Sequence, residues 1–158
     1  VDFSDVYYTS KGIFVVNKDS EEIKSVADLK NKKIGVQKGS TYETYAKEQL
    51  KMDDKNIQAL TDVPSLFQYL KNKKIDAVLI PDDVAKIAMN KYTDIKISSF
   101  TADNDPEATG MAIVFKKGKN DSNKELLEQV NAVIKEIQDQ KAFEKELDKY
   151  AKVAAQSE

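Results

Sequence analysis

The 158-residue chain contains no cysteine, no histidine and no tryptophan, and every one of its 25 basic residues is lysine. Each absence removes a class of chemistry. Without cysteine there is no thiolate nucleophile, no disulfide and no thiolate-held metal. Without histidine, the commonest general base and the usual transition-metal ligand are gone. Without arginine, no planar fork is available to clamp a carboxylate through two parallel hydrogen bonds. Lysine, tyrosine and carboxylates remain, a poor repertoire for an enzyme, and a non-enzymatic function is expected, with no cofactor and no metal. The lysines nearly balance 27 acidic residues, so a net charge of −2 supplies no long-range field favouring nucleic acid. No apolar run approaches the ~20 residues of a membrane-spanning helix. The chain opens on Val1, as a processed protein or an excised fragment would, and its length suits one ordinary domain or two very small ones.

Among what is present, the segment K-I-G-V-Q-K-G-S-T-Y-E, Lys33 to Glu43, is the most informative. A short strand, Ile34 to Gln37, runs into a Gly-Ser-Thr corner and straight on into a helix. That geometry leaves backbone N–H groups and two hydroxyls at a helix N-terminus, a site for an anion such as a carboxylate. The same residues have a plainer reading, because Ser40-x-x-Glu43 is also a capping box that binds only itself.

Apolar runs alternate with helix-like stretches along the chain. Gly12 to Asn17 reads as a buried strand, and Val26 to Lys30 as a short helix begun by Ser25-x-x-Asp28. Thr41 to Leu50 is a helix with Tyr42, Tyr45, Ala46 and Leu50 on one face. Ile57 to Leu60 is a strand, and Asp62 caps a helix with Pro64 in its first turn. Ile75 to Ile80 is the most apolar strand and leads to a helix over Val84 to Asn90. Ile95 to Ser98 and Met111 to Phe115 are further strands. This alternation predicts an α/β fold, an open parallel or mixed sheet flanked by helices, with ligands held beyond the carboxyl ends of the strands. The corners at Gly39 to Thr41 and Pro81 to Asp83 both fall at such ends. L-K-N-K-K-I occurs twice, at Leu29 to Ile34 and Leu70 to Ile75, and both Asn residues are expected to take the left-handed conformation in one repeated turn. Further on, Ser122-x-x-Glu125 is expected to cap a helix with Leu126, Leu127, Val130, Val133, Ile134 and Ile137 in one stripe. Phe143, Leu147 and Tyr150 form a second stripe. Thr101 to Gly110, T-A-D-N-D-P-E-A-T-G, reads as a linker. Asp103, Asp105 and Glu107 mimic the start of a calcium loop, but Ala108 and Val114 occupy the positions that need Gly and Glu, so a hinge is the better reading.

Taken in order, these segments resemble the type II periplasmic binding proteins, in the polar amino-acid branch that feeds ABC importers. F-S-D-V-Y-Y (Phe3 to Tyr8) is similar to the family's F-S-x-x-Y-Y at the first crossover between lobes. S-V-A-D-L-K-N-K-K-I-G-V-Q-K-G-S-T (Ser25 to Thr41) and L-K-N-K-K-I-D-A-V (Leu70 to Val78) resemble two segments of its second lobe. G-M-A-I-V-F-K-K-G (Gly110 to Gly118), L-L-E-Q-V-N (Leu126 to Asn131) and Lys149-Tyr150 resemble its C-terminal return.

The resemblance implies a periplasmic-binding-protein-like sheet followed by C-terminal helices. It divides the chain into a first crossover strand over residues 1–10, an α/β ligand-binding lobe over 11–101, a hinge over 102–109, and a partial other lobe over 110–158. That other lobe would also need a segment before Phe3, including the arginine that grips a ligand carboxylate. The family's site maps onto Gly39, Ser40 and Thr41 for the carboxylate, with Gln37 lining the cleft. The ammonium contact falls at Pro81 by count, so either Asp82 takes that role, with Asp83 a solvated helix residue, or the contact is lost. The implied partners are a small polar amino acid and the membrane subunits of an ABC importer, with an extracytoplasmic location that includes lipid anchoring. A relative's dehydratase chemistry needs a positioned acid or base that is missing here. A receptor's ligand-sensing module and a non-binding, oligomerising fragment are the alternatives. Left uncovered, Val130, Val133, Ile137 and Leu147 are expected to pair with another copy of the chain.

Overall fold

Gly12–Asn17 is apolar up to Asn17, and all six of its positions are buried. Such a strand must be covered on both faces and paired along both edges. In the computed structural model, which describes residues 1–102, 110–117 and 123–156, it lies inside a five-stranded sheet. The strands are β1 (Asp2–Phe3), β2 (Tyr8–Thr9), β3 (Gly12–Asn17), β4 (Ile34–Gln37), β5 (Ile57–Leu60), β6 (Ala77–Pro81), β7 (Ile95–Ala102), β8 (Gly110–Met111) and β9 (Val114–Phe115). The helices are α1 (Thr41–Glu48), α2 (Val63–Lys71), α3 (Asp82–Lys91), α4 (Lys124–Asp139) and α5 (Ala142–Ala154), with 3₁₀ turns at Val26–Leu29 and Asp54–Asn56. The Asp103, Asp105 and Glu107 stretch, all but the first residue of the 102–109 segment, and Ser122 lie outside the described residues.

The sheet order is β5-β4-β6-β3-β7. β4 runs parallel to both β5 and β6, whereas β3 enters antiparallel to β6 and β7. The sheet is therefore mixed, as the alternation of elements allows. Side chains alternate across it. Ile13, Val15, Val78 and Ile80 meet Leu66, Phe67 and Leu70 of α2 and Ala85 and Ala88 of α3 on one face. Phe14, Val16, Ala77 and Leu79 meet Tyr42 and Ala46 of α1 and Leu29 on the other. Gly12 is glycine because a Cβ there would stand 2.7 Å from both Ala102 Cβ and Tyr42 Cε1. The Tyr42 ring thus lies directly over the start of β3.

Outside the sheet, β1 pairs with β9 and β2 with β8, each as a two-stranded antiparallel ladder. The expected Met111 to Phe115 strand is thus two short pieces on two different partners. Helix α4 is fastened to the N-terminal segment by Asn131 Oδ1, which accepts from Asp5 N–H at 2.8 Å, and by Gln138, which donates to the Val6 carbonyl at 2.8 Å. Its expected single stripe divides in two. Ile134 is buried, while Leu126 and Val133 on the outer side are 50% and 54% exposed.

The repeated L-K-N-K-K-I is not one turn used twice. At the first copy, Lys30 (φ −60°, ψ 125°) and Asn31 (φ 67°) form a type II turn closed by Lys32 N–H on the Leu29 carbonyl. At the second, α2 runs one residue further, Asn72 stays at φ −82°, and Lys73 takes the left-handed position at φ 55°. Lys74 N–H then reaches the Tyr69 carbonyl and Lys73 N–H the Leu70 carbonyl, the paired bonds of a Schellman end. The expectation for Asn31 is met and that for Asn72 is corrected. A helix carries its last carbonyls one residue further than a 3₁₀ turn, so the reversal moves with them. Lys73→Gly is expected to stabilise the fold by about 0.5–1 kcal/mol, whereas Asn72→Gly destabilises it by a similar amount. Urea unfolding of the two variants checks this, and equal effects would contradict the assignment.

Candidate ligand-binding site

The Gly39–Thr41 corner forms as the strand–helix junction requires. β4 ends at Gln37, Gly39 takes φ +75° with open space around its α-carbon, and Ser40 caps α1. Ser40 N–H donates to the Gln37 carbonyl at 3.2 Å, and Ser40 Oγ donates to the same oxygen at 2.7 Å. These bonds bring Gln37, Gly39, Ser40 and Thr41 together. Gln37 Nε2 reaches the Thr61 carbonyl at 3.4 Å, at the end of the neighbouring β5, and Thr41 is exposed at the first helical position.

The corner carries its own anion. Glu43 Oε2 accepts from Gly39 N–H at 2.7 Å, while Glu43 N–H donates back to Ser40 Oγ at 3.3 Å. The Lys47 ammonium, 2.8 Å from Glu43 Oε1, and then the Gly39 N–H hold this carboxyl below its ordinary range. The capping reading is therefore realised in this structure, and an incoming carboxylate must displace Glu43 from Gly39 to use that donor.

Asp82 is not hydrogen-bonded to the corner among the described residues. It is the first residue of α3, following Pro81 at the cap, so the helix begins two residues before the expected Val84. Its Oδ2 accepts from Tyr8 Oη at 2.6 Å, and its Oδ1 accepts from Ser10 Oγ and Lys11 N–H, both at 3.3 Å. Ser10 Oγ in turn lies 3.1 Å from Tyr42 Oη. A chain of hydrogen bonds thus runs from Tyr8 through Asp82 and Ser10 to α1, one residue beyond Thr41. Asp83 is not the solvated residue expected from sequence. It is partly buried, and its Oδ1 is inaccessible and without a hydrogen-bond partner among the described residues.

Beside this chain lies a cavity of about 380 Å³ between the β2 segment, α3 and the α4–α5 junction. Phe143 packs its ring 4.7 Å from Tyr8 and 5.5 Å from Tyr7. Burial, then the hydrogen bond to Asp82, and then the carboxylates of Asp82, Asp83 and Glu144 push the Tyr8 hydroxyl far above its ordinary value. Tyr8, Ser10, Tyr42, Phe143 and Glu144 were not among the site residues expected from sequence. The two aromatics at Tyr7-Tyr8 are visible as an F-S-x-x-Y-Y pattern, but Phe143 and Glu144 have no local signal linking them to residues so far away in the chain.

The Tyr8 shift has a definite sign. Its folded-state value is raised, so its contribution to stability is complete below pH ~10, the unfolded value, and is lost as pH rises beyond it. Urea-unfolding midpoints between pH ~8 and ~11.5 are expected to fall less steeply in Tyr8→Phe than in the parent. Parallel curves would remove Tyr8 as the source.

Comparison with known proteins gives these features a family. A family model described as NMT1/THI5 like matches residues 1–139. The arginine-binding extracellular protein ArtP of Bacillus subtilis is 37% identical over 150 residues, covering 92% of this chain and 54% of that protein. A probable histidine-binding protein of Campylobacter jejuni is 32% identical over 152 residues, covering 95% and 55%. The crystal structure of AbpA, an amino-acid ABC transporter substrate-binding protein from Streptococcus pneumoniae bound to L-arginine, superposes with a TM-score of 0.71 at 33% identity. That match covers 99% of this chain and 63% of the other. The chain thus spans about half the length of the curated relatives it matches. Among its described residues no helix is long and apolar enough to cross a membrane. With fold and family model in agreement, the chain belongs to the NMT1/THI5-like family, and over its length it is similar to part of the substrate-binding proteins of amino-acid ABC transporters.

Proposed function

We propose that this chain captures a polar amino acid outside the cytoplasmic membrane, as part of a solute-binding protein that delivers it to the membrane subunits of an ABC importer. One observation carries the reading: α1 and α3 begin side by side, at the carboxyl ends of the adjacent parallel strands β4 and β6. The named ligands of the relatives, arginine and histidine, agree with it. In this reading residues 11–101 are the ligand-binding lobe, 1–10 the first crossover strand, 102–109 the hinge, and 110–158 part of the other lobe. The ligand carboxylate sits at Gly39, Ser40 and Thr41, Gln37 lines the cleft, and Asp82 takes the ammonium. Lipid anchoring of the whole protein belongs to the same proposal.

Magnitudes limit what this chain does by itself. A complete site of micromolar affinity distributes about −8 kcal/mol. A helix N-terminus supplies roughly 0.3–2 kcal/mol to an anion, and each charged hydrogen bond about 1.5–3 before ordering costs. With no arginine, and with Glu43 to be displaced, binding is expected on the order of millimolar. A second reading, a fragment that binds nothing and serves assembly, is favoured by the same Glu43 contact and by the three donors already satisfying Asp82.

Heteronuclear NMR during titration with L-glutamine separates the two. Saturable shifts at Gly39, Ser40 and Thr41 are expected, and Glu43→Ala is expected to tighten binding about two- to fivefold by freeing Gly39 N–H. A folded spectrum with no shifts would favour the assembly reading. The outer side of α4 yields a separate expectation, that it is covered by the remainder of the binding protein or by a second copy. Sedimentation of this chain is expected to show self-association that Val133→Lys reverses, and a monomer at all concentrations would exclude the second copy.

A further inference from the structure

The end of the sheet opposite the Gly39–Thr41 corner holds a smaller cavity, where β4 and β5 begin at Ile34 and Ile57. The four residues of β4, about 13 Å of strand, separate the two places. The turn before β4, the segment leaving α1 and the 3₁₀ turn before β5 enclose about 280 Å³. The floor is apolar. Leu29 is buried there, and Leu50 and Met52 pack half-buried against the same core cluster. Val26 stands at the rim with 50% of its surface exposed.

The polar part of the wall consists mostly of donors with nothing to donate to. The ammonium groups of Lys30 and Lys51 hold no hydrogen bond or ion pair among the described residues. The side-chain amides of Asn31 and Asn56 are likewise without a partner there. Asp53 is the lining carboxylate, and Lys55 pairs with it at 3.4 Å. Two uncommitted positive charges therefore border an apolar floor. Lys51 takes φ 50°, and Met52 N–H then closes on the Ala46 carbonyl at 3.1 Å. Glycine adopts that left-handed conformation more readily than lysine, so this side chain can be removed without cost to the turn.

We propose that this cavity is a binding site for a small amphipathic monocarboxylate with an unbranched chain of about four to six carbons. The chain lies over Leu29, Leu50 and Met52, and the carboxylate lies between the Lys30 and Lys51 ammonium groups, where hydrogen bonds to an anion are strongest. An inorganic anion would leave the apolar floor in water, and an organic cation would meet two like charges. The volume is just below the roughly 300–1,000 Å³ of drug-sized sites, which excludes a long acyl chain. The inference does not rest on the amino-acid reading of the corner.

The test is an NMR titration of the full chain with sodium hexanoate at constant pH and ionic strength. Saturable amide shifts at Asn31, Lys51 and Met52 are expected, with a dissociation constant on the order of millimolar. Butyrate, two methylenes shorter, is expected to bind about four- to sixteenfold more weakly. Lys51→Gly is expected to keep the fold and weaken hexanoate binding about two- to fivefold, and Lys30→Gln by a similar factor. Absence of saturation by ~20 mM, acetate shifts equal to those of hexanoate, or an unchanged constant in the double variant would overturn the proposal. Shifts confined to Gly39–Thr41 would also overturn it, because they would put the carboxylate in the corner. L-glutamine shifts at that corner report on the amino-acid reading alone, so either inference can fail without the other.

Discussion

The antiparallel insertion of β3 between β6 and β7 is the constraint on which the other features depend. Its six buried residues admit no water, so each backbone group must find a partner in strands that follow much later in the chain. The register sets Gly12 opposite both Pro81 and Ala102. The chain therefore leaves the sheet at Lys11 just where α3 begins, and Asp82 N–H closes the junction on the Lys11 carbonyl at 2.9 Å. Tyr8 and Ser10 are then carried onto the Asp82 carboxylate, and the missing side chain of Gly12 lets Tyr42 reach Ser10 from the opposite side. One strand register thus positions side chains from the N-terminal segment, α1 and α3.

Local chemistry made much of this fold legible in the sequence. The alternating faces of β3 and β6, the Asp62 cap with its 2.8 Å bond from Ser65 N–H, and the Ser25-x-x-Asp28 box all follow from short-range pattern. What was not legible is what depends on partners. Strand direction is one case: nothing within Gly12–Asn17 states that it runs against β6. The repeated L-K-N-K-K-I is another, because identical residues end a 3₁₀ turn in one place and a nine-residue helix in the other. The preceding element, not the turn residues, decides where the chain reverses.

The candidate site divides along the same line. Gln37 to Thr41 could be read as a unit, since five consecutive residues make their own corner, and the capping alternative was visible in Glu43. Asp82 was visible as an acid at a strand end, but its hydrogen bond to Tyr8 spans 74 residues and has no sequence signature. Asp83, one position along, differs from the expectation for a first-turn acid because packing around the start of α3 buries one of its oxygens. The two ends of the site are therefore of different kinds. One is built locally and satisfied locally, while the other exists only when β2, α3 and α5 have come together.

The late arrival of β3's partners also bears on how the chain leaves the ribosome. The last residues of β7 follow Asn17 by roughly eighty positions, or ~4–16 s at ~5–20 residues per second. During that interval I-F-V-V is an unpaired apolar segment of high strand propensity, the sort that pairs with the wrong chain. Lys11 and Lys18 stand on either side of it, and both remain exposed once the sheet is complete. Two like charges flanking an apolar core oppose stacking of nascent chains. The ammonium groups of these lysines hold no hydrogen bond or ion pair among the described residues, so their charge is free to serve as a gatekeeper before the sheet exists.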